Sequence, residues 1–175
     1  MKKNALFLMI LLMPLFMMAQ QDTPTIPLDD AGNIRYKEVV NEPGSQSDLF
    51  ERSITWINKE YKNPFSATTT RDFNGGKIII DQVFQVNMVS DSGTIIILDV
   101  KYKMTIRFKE GRYRVEMTGF SLKKAPRTKA EEWMNKSSEY YNPKYLKQLD
   151  DFARGKIESF IDGMKPPKKY KEEDW

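Results

Sequence analysis

KIIIDQVFQVNMVSDSGTIIILDVKYKMTIRFKEGRYRVEMTGFSL, residues 77–122, decides the fold. Two short breaks interrupt it, Asp91-Ser92-Gly93 and Glu110-Gly111. Around them run β-branched and aromatic residues that suit a pleated, half-buried surface. The pattern predicts three long strands, over 77–89, 94–108 and 113–122. A three-residue loop at 91–93, with Gly93 left-handed, sets Ser90 against Thr94. Met88 then falls opposite Ile96, Val86 opposite Leu98, Phe84 opposite Val100, Ile80 opposite Met104 and Ile78 opposite Ile106. The second turn sets Phe108 against Tyr113, Ile106 against Val115 and Met104 against Met117. Apolar meets apolar in nearly every pair. A slip of one residue would mix the two faces, so the pattern itself specifies the register.

The opposite face reads differently. It sets Asp81 across from Lys103, Val83 from Lys101, Ile79 from Thr105 and Arg114 from Arg107, with Glu116 diagonal to Arg107. Nearer the first turn it carries Val89, Ile95 and Ile97. Strict alternation puts Phe120 and Leu122 on this face too, whereas a bulge at Gly119 would return them to the core. Alternation leaves both readings open.

Working outward, Asp29-Asp30-Ala31-Gly32-Asn33 is a turn cluster and a strand follows over 34–40. Ser45 or Ser47 then caps a helix, with Asp48 complementing its dipole. Leu49, Phe50, Ile54, Trp56, Ile57 and Tyr61 make its buried stripe, and Asn63-Pro64 ends it. A threonine-rich strand over 67–73 leads through Asn74-Gly75-Gly76 into the central run. Downstream, 125–141 is polar, and Thr128 with Glu131 fits a capping box ahead of Trp133 and Met134. Asn142-Pro143 opens a long helix striped with Leu146, Leu149, Phe152, Ala153, Ile157, Phe160, Ile161 and Met164. Gly163 closes it. The class is α+β: a curled five-stranded antiparallel sheet in the order β-α-β-β-β-β-α, with helices packed on one face and no internal repeat.

The 175 residues suit one domain. Lys2, Lys3, the uncharged apolar run 5–18 and Ala19 read as a cleavable signal peptide over 1–19. The run is too short to span a bilayer, so no stable membrane span is expected after cleavage. A proline-containing linker over 20–28, a domain over 29–164 and a flexible tail over 165–175 complete the division. The expected location is the periplasm or the extracellular space. Cysteine and histidine are both absent. Thiol chemistry, disulfides, thiolate metal sites and imidazole acid–base catalysis are therefore excluded. Loss of Lys2 and Lys3 takes the formal charge from +4 to +2. That excess is too small to point to nucleic acid, despite a pI near 9.1.

The order of elements behind a signal peptide resembles a family of exported bacterial proteins, domain of unknown function 4468. The resemblance rests on Ile26-Pro27, Asp29 through Gly32, Ile34-Arg35-Tyr36, Val39-Val40, Leu49-Phe50-Glu51-Arg52 and Trp56, and beyond them on strand order. It implies a TBP-like fold and carries no catalytic residue with it. In the TATA-binding protein the open sheet face holds DNA, but fold alone does not transfer function.

Candidate chemistry is sparse. Asp29-Asp30 sits in a turn, where aspartate is common for local bonding. Asp29, Asp30 and Asn33 lack the spacing of a calcium loop. Glu131-Glu132 and Asp150-Asp151 are adjacent pairs on helices and point in different directions. Gly75-Gly76 opens no helix, and no serine has a nucleophile-elbow setting. No catalytic residue, metal or cofactor is assigned. Trp56 reads as core. Trp133 reads as cover for the sheet edge or open face, or as a platform for sugar stacking. The open sheet face is the best binding candidate, with Lys101, Lys103, Arg107 and Arg114 at its charged end and Val83, Ile95 and Ile97 toward its apolar end. The competing reading is a solvated face whose apolar end is covered by 125–141. The expected function is a non-catalytic envelope module that binds a protein, peptide or glycan. A hydrolase of envelope polymers using carboxylate or serine–lysine chemistry is the second expectation, and a dimer-forming structural subunit the third.

Overall fold

The computed structural model describes residues 24–90, 92–124 and 127–166. The signal peptide and almost all of the tail expected from the sequence lie outside these residues. The elements are β1 (Tyr36–Asn41), α1 (Gln46–Glu60), α2 (Pro64–Ala67), β2 (Thr68–Asp72), β3 (Lys77–Val89), β4 (Ile95–Lys109), β5 (Arg112–Leu122), one 3-10 helix (Ala130–Trp133) and α3 (Pro143–Gly163). The strands form one antiparallel sheet in the order β1-β5-β4-β3-β2.

β3 and β4 pair without interruption from Lys77↔Arg107 to Val89↔Ile95. The register is the one the apolar pattern demands: Ile78 faces Ile106, Ile80 faces Met104, and Phe84 faces Val100. Ser90 N donates to Thr94 O at 2.9 Å and Gly93 adopts φ +79°, closing the expected three-residue loop. β5 continues the core face with Tyr113, Val115 and Met117, all at most 1% exposed.

Gly119 decides the reading that alternation left open. Its φ is +68°, and the β4–β5 register shifts between Lys101 and Lys103. This bulge turns Phe120 into the core and sets Leu122 opposite Val100.

Both long helices cover the apolar face. α1 lies on β4 and β5, while α3 lies on β3, β1 and α1. Ser45 caps α1 by accepting from Asp48 N, and Asp48 accepts from Ser45 N, a reciprocal box. Ser45 and Asp48 each satisfy one otherwise unpaired amide. Asn142 Oδ1 accepts from Tyr145 N at 3.1 Å and starts α3. α2 is a single turn that the sequence reading ran past. Asn63 stops α1 but also caps this turn through Ser66 N, with Pro64 in its first turn.

Three further places depart from expectation. β1 begins at Tyr36 because Ile34 bridges back to Leu28, and Arg35 N donates to Pro27 O. The segment expected to be linker through 28 is therefore docked at its end, with Ile26 only 8% exposed. The capping box at Thr128 and Glu131 does not form. Lys129 is the cap, and Glu131 Oε1 instead accepts from Ile34 N at 2.8 Å. A helix of four residues offers Glu131 less than an otherwise unpaired amide across the fold.

Where the two long helices meet, the Trp56 and Phe160 rings pack edge-on at 5.0 Å. Gly163 sits against Trp56, so a Cβ there would overlap the indole, whereas Gly155 in the same helix has open space. Gly163→Ala is expected to destabilise by about 1–3 kcal/mol through overpacking. Gly155→Ala is expected to stabilise by about 0.5–1 kcal/mol by removing helix-interior glycine. Urea denaturation of the two variants should move their midpoints in opposite directions.

Candidate functional site

The sheet face away from the helices is open among the described residues. Along β4 it presents Ile95, Ile97, Asp99, Lys101, Lys103, Thr105, Arg107 and Lys109. At a strand rise of about 3.3 Å per residue, this row spans roughly 46 Å from apolar to cationic. The residues expected to form one site fall into three groups along it.

Lys101, Lys103 and Val83 line a central hollow of about 680 Å³. Gly119 forms part of its wall, so the bulge leaves this stretch of β5 without a side chain at that position. The expected charge pairing is not made. Asp81 Oδ2 accepts from Thr69 Oγ1 at 2.8 Å, and among the described residues no carboxylate lies within 4.0 Å of either lysine nitrogen. β1 pairs with β5 only as far as Met117. Past that point a second hollow of about 510 Å³ opens on the other flank of Gly119, lined by Arg35, Arg127 and Lys129 together with Asp29, Glu116 and Glu131. Thr118, Gly119 and Ser121 belong to both hollows. The sequence reading missed this second hollow because Arg35 and Lys129 come from segments far apart in the chain.

Arg107 and Arg114 lie elsewhere, in a cavity of about 450 Å³ beside the β4–β5 turn. Glu116 does not serve Arg107. Its Oε1 accepts from Arg35 Nη2 and from Arg114 Nε, each at 2.9 Å.

Ile95 and Ile97 are 65% and 57% exposed, alongside Val89 at 64% and Val83 at 38%. Ile95, Ile97 and Val89 sit on a ribbon that outruns the sheet. β5 ends opposite Val100 and β2 reaches only Ile80, so beyond these points β3 and β4 pair only with each other. Residues 127–141 do not cover this apolar end. They pack toward the core, where Trp133 is 2% exposed and its ring centroid lies 5.3 Å from that of Tyr145. A buried indole cannot stack a sugar, so Trp133 is not a glycan platform. One ribbon edge is capped at Asn87: Gln148 Nε2 donates to Asn87 O at 2.7 Å, and Asn87 N donates to Gln148 Oε1 at 2.9 Å.

The paired acids have structural duties. Asp29 accepts from the Asn33 and Ala31 amides, and these bonds, that from Asn33 first, hold its carboxyl below the usual aspartate range. Asp150 accepts from the Tyr36 hydroxyl at 2.9 Å and from Arg154 Nε at 2.8 Å. Burial, then that bond to Asp150, pushes the Tyr36 phenol up. No group of three or more metal-binding side chains occurs among the described residues, and none of their helices is long and apolar enough to cross a membrane.

A family model described as a domain of unknown function (DUF4468) with TBP-like fold matches residues 36–123, half of the chain. Two solved structures are similar. A DUF4468 family protein from Bacteroides ovatus is 21% identical over 83% of this chain and 93% of its own, with a TM-score of 0.65. A TBP-like protein from Parabacteroides distasonis is 19% identical over 79% of this chain and 96% of its own, with a TM-score of 0.64. At these identities the likeness is one of fold. No curated protein matches.

A Cβ placed on Gly119 would meet nothing closer than 4.0 Å, so the requirement for glycine there is conformational, not steric. Gly119→Ala is expected to cost about 1–2 kcal/mol. Gly119→Asn should cost less, because asparagine tolerates the left-handed region better. Thermal melts ranking Gly above Asn above Ala would check this; equal melting of all three would contradict it.

Proposed function

The chain belongs to the DUF4468 family with TBP-like fold, and from that premise we propose a non-catalytic binding module of the cell envelope whose open sheet face takes an acidic peptide, protein segment or glycan. The observation that carries the reading is the central hollow, where Lys101 and Lys103 stand without a carboxylate partner beside the trough at Gly119. Exposed lysines are inexpensive to keep solvated, and they attract acidic ligands over roughly a Debye length. The second hollow continues the trough across β5 but sets Arg35, Arg127 and Lys129 against Asp29, Glu116 and Glu131, so the cationic pull comes from the central lysines. Val83 supplies apolar contact at its other side. Absence of histidine and cysteine from the chain is consistent with binding in place of chemistry. Export to the periplasm or beyond rests on the positive start and apolar run of the leader.

A second reading, a structural subunit that joins copies edge to edge, is favoured by the projecting ribbon. Its β4 edge at Ile95 and Ile97 carries none of the charges or prolines that usually blunt a free edge.

Two experiments separate the readings. Lys101→Glu with Lys103→Glu should weaken binding of acidic peptides or uronate-containing glycans at least about tenfold by calorimetry, at unchanged circular dichroism. Unchanged affinity would sink the binding reading for this face. Light scattering of the protein lacking its leader should report a monomer on the first reading. On the second it should report a dimer that Ile97→Lys dissociates.

A further inference from the structure

The β4–β5 turn end gathers like charges, of which only Arg114 has a carboxylate partner among the described residues. Lys77, Arg107 and Arg114 are direct cross-strand neighbours on three adjacent strands, and Lys109 faces Arg112 in the next outward row. Adjacent strands lie about 4.8 Å apart, so the first three backbones fall within roughly 10 Å. Like charges set directly opposite each other destabilise a sheet.

The carboxylates around the row relieve it only at Arg114. Glu116 is shared by Arg35 and Arg114. Asp72, beyond Lys77, accepts from Gly75 N at 2.8 Å. Glu110 is exposed in the turn itself. Among the described residues, no carboxylate oxygen lies within 4.0 Å of a side-chain nitrogen of Lys77, Arg107, Lys109 or Arg112. A cavity of about 450 Å³ opens among Arg107, Lys109, Arg112 and Arg114, walled on its apolar side by Val39.

We propose that this cavity is an anion-binding site for a ligand carrying two or more neighbouring negative charges on oxygen, as in a diphosphate or adjacent carboxylates of a polymer. Guanidinium groups present planar forks that engage phosphoryl or carboxylate oxygens in pairs. Arg107 and Arg112 bring two unpaired forks to one cavity, beside the Arg114 guanidinium that Glu116 holds at Nε. Bound anion replaces repulsion along the row with attraction, so occupancy and stability are linked. The site is separate from the hollow at Lys101 and Lys103, and it stands or falls independently of the function proposed above.

The test uses inorganic pyrophosphate and tri-galacturonate as probes of the two oxyanion sources, on the protein lacking its leader at low salt. At a tenfold excess over Kd, at least one probe should raise Tm by about 4 °C. Sodium chloride at matched ionic strength should not. Arg107→Gln with Arg112→Gln should weaken the binding at least about tenfold while leaving the ligand-free Tm equal to or above that of the parent. Lys101→Gln with Lys103→Gln should keep the full response. The responding probe identifies the source. No shift with either probe, an equal shift in the Arg107/Arg112 variant, or a ligand-free variant that melts below the parent would each overturn the proposal.

Discussion

The pairing of β3 with β4 runs for all thirteen residues of β3, and the rest of the fold is placed by it. An unbroken ladder satisfies the backbone groups that the two strands turn toward each other, while alternation sends every second side chain to one side. Ile78, Ile80, Phe84 and Val86 on β3 thereby share a surface with Val100, Met104 and Ile106 on β4. β5 adds to one edge of this pair and β2 to the other. The two long helices have one apolar surface to cover, and they cover that one. The short loop at 91–93 matters for the same reason: one residue more or fewer would exchange core and solvent along the whole ribbon.

Gly119 is the point where this regularity is broken, and the break serves two ends. It returns Phe120 to the core, where its ring packs against Tyr36 and Phe84. It also removes side-chain bulk from the outer surface of β5, so hollows form on both of its flanks. The cationic character of the outer surface follows from the choice of partners for the nearby acids. Asp81 is taken by Thr69, and Glu116 by Arg35 and Arg114. The lysines between them are left to solvent.

Strands, turns, registers and α3 were legible because each rests on a local rule: period two, a glycine in a tight turn, a capping asparagine followed by proline. The features that escaped involve competition between distant groups. Glu131 had a good local role as a capping residue, but Ile34 N claims it from across the chain. Trp133 read as cover for the sheet edge or open face, or as a sugar platform, yet it is buried on the core side against Tyr145. The candidate face was legible as a list of residues, since parity alone places Lys101, Lys103 and Arg107 outward. Its division into a central hollow, a turn-end cavity and a bare ribbon was not, because the division depends on where β1, β2 and β5 stop. Sequence pattern predicts where a strand runs more reliably than where its neighbour ends.

The contact between Gln148 and Asn87 has a chemical consequence of its own. A primary carboxamide carries a donor and an acceptor on one planar group, so it can stand in for a peptide unit of a missing strand. Aspartate and glutamate lack the donor, and lysine lacks the acceptor. Hydrolysis of this one amide to an acid would set oxygen against oxygen at Asn87 and unseal that border of the sheet. Hydrolysis at position 148 would therefore free the backbone groups of one residue, Asn87, for another strand.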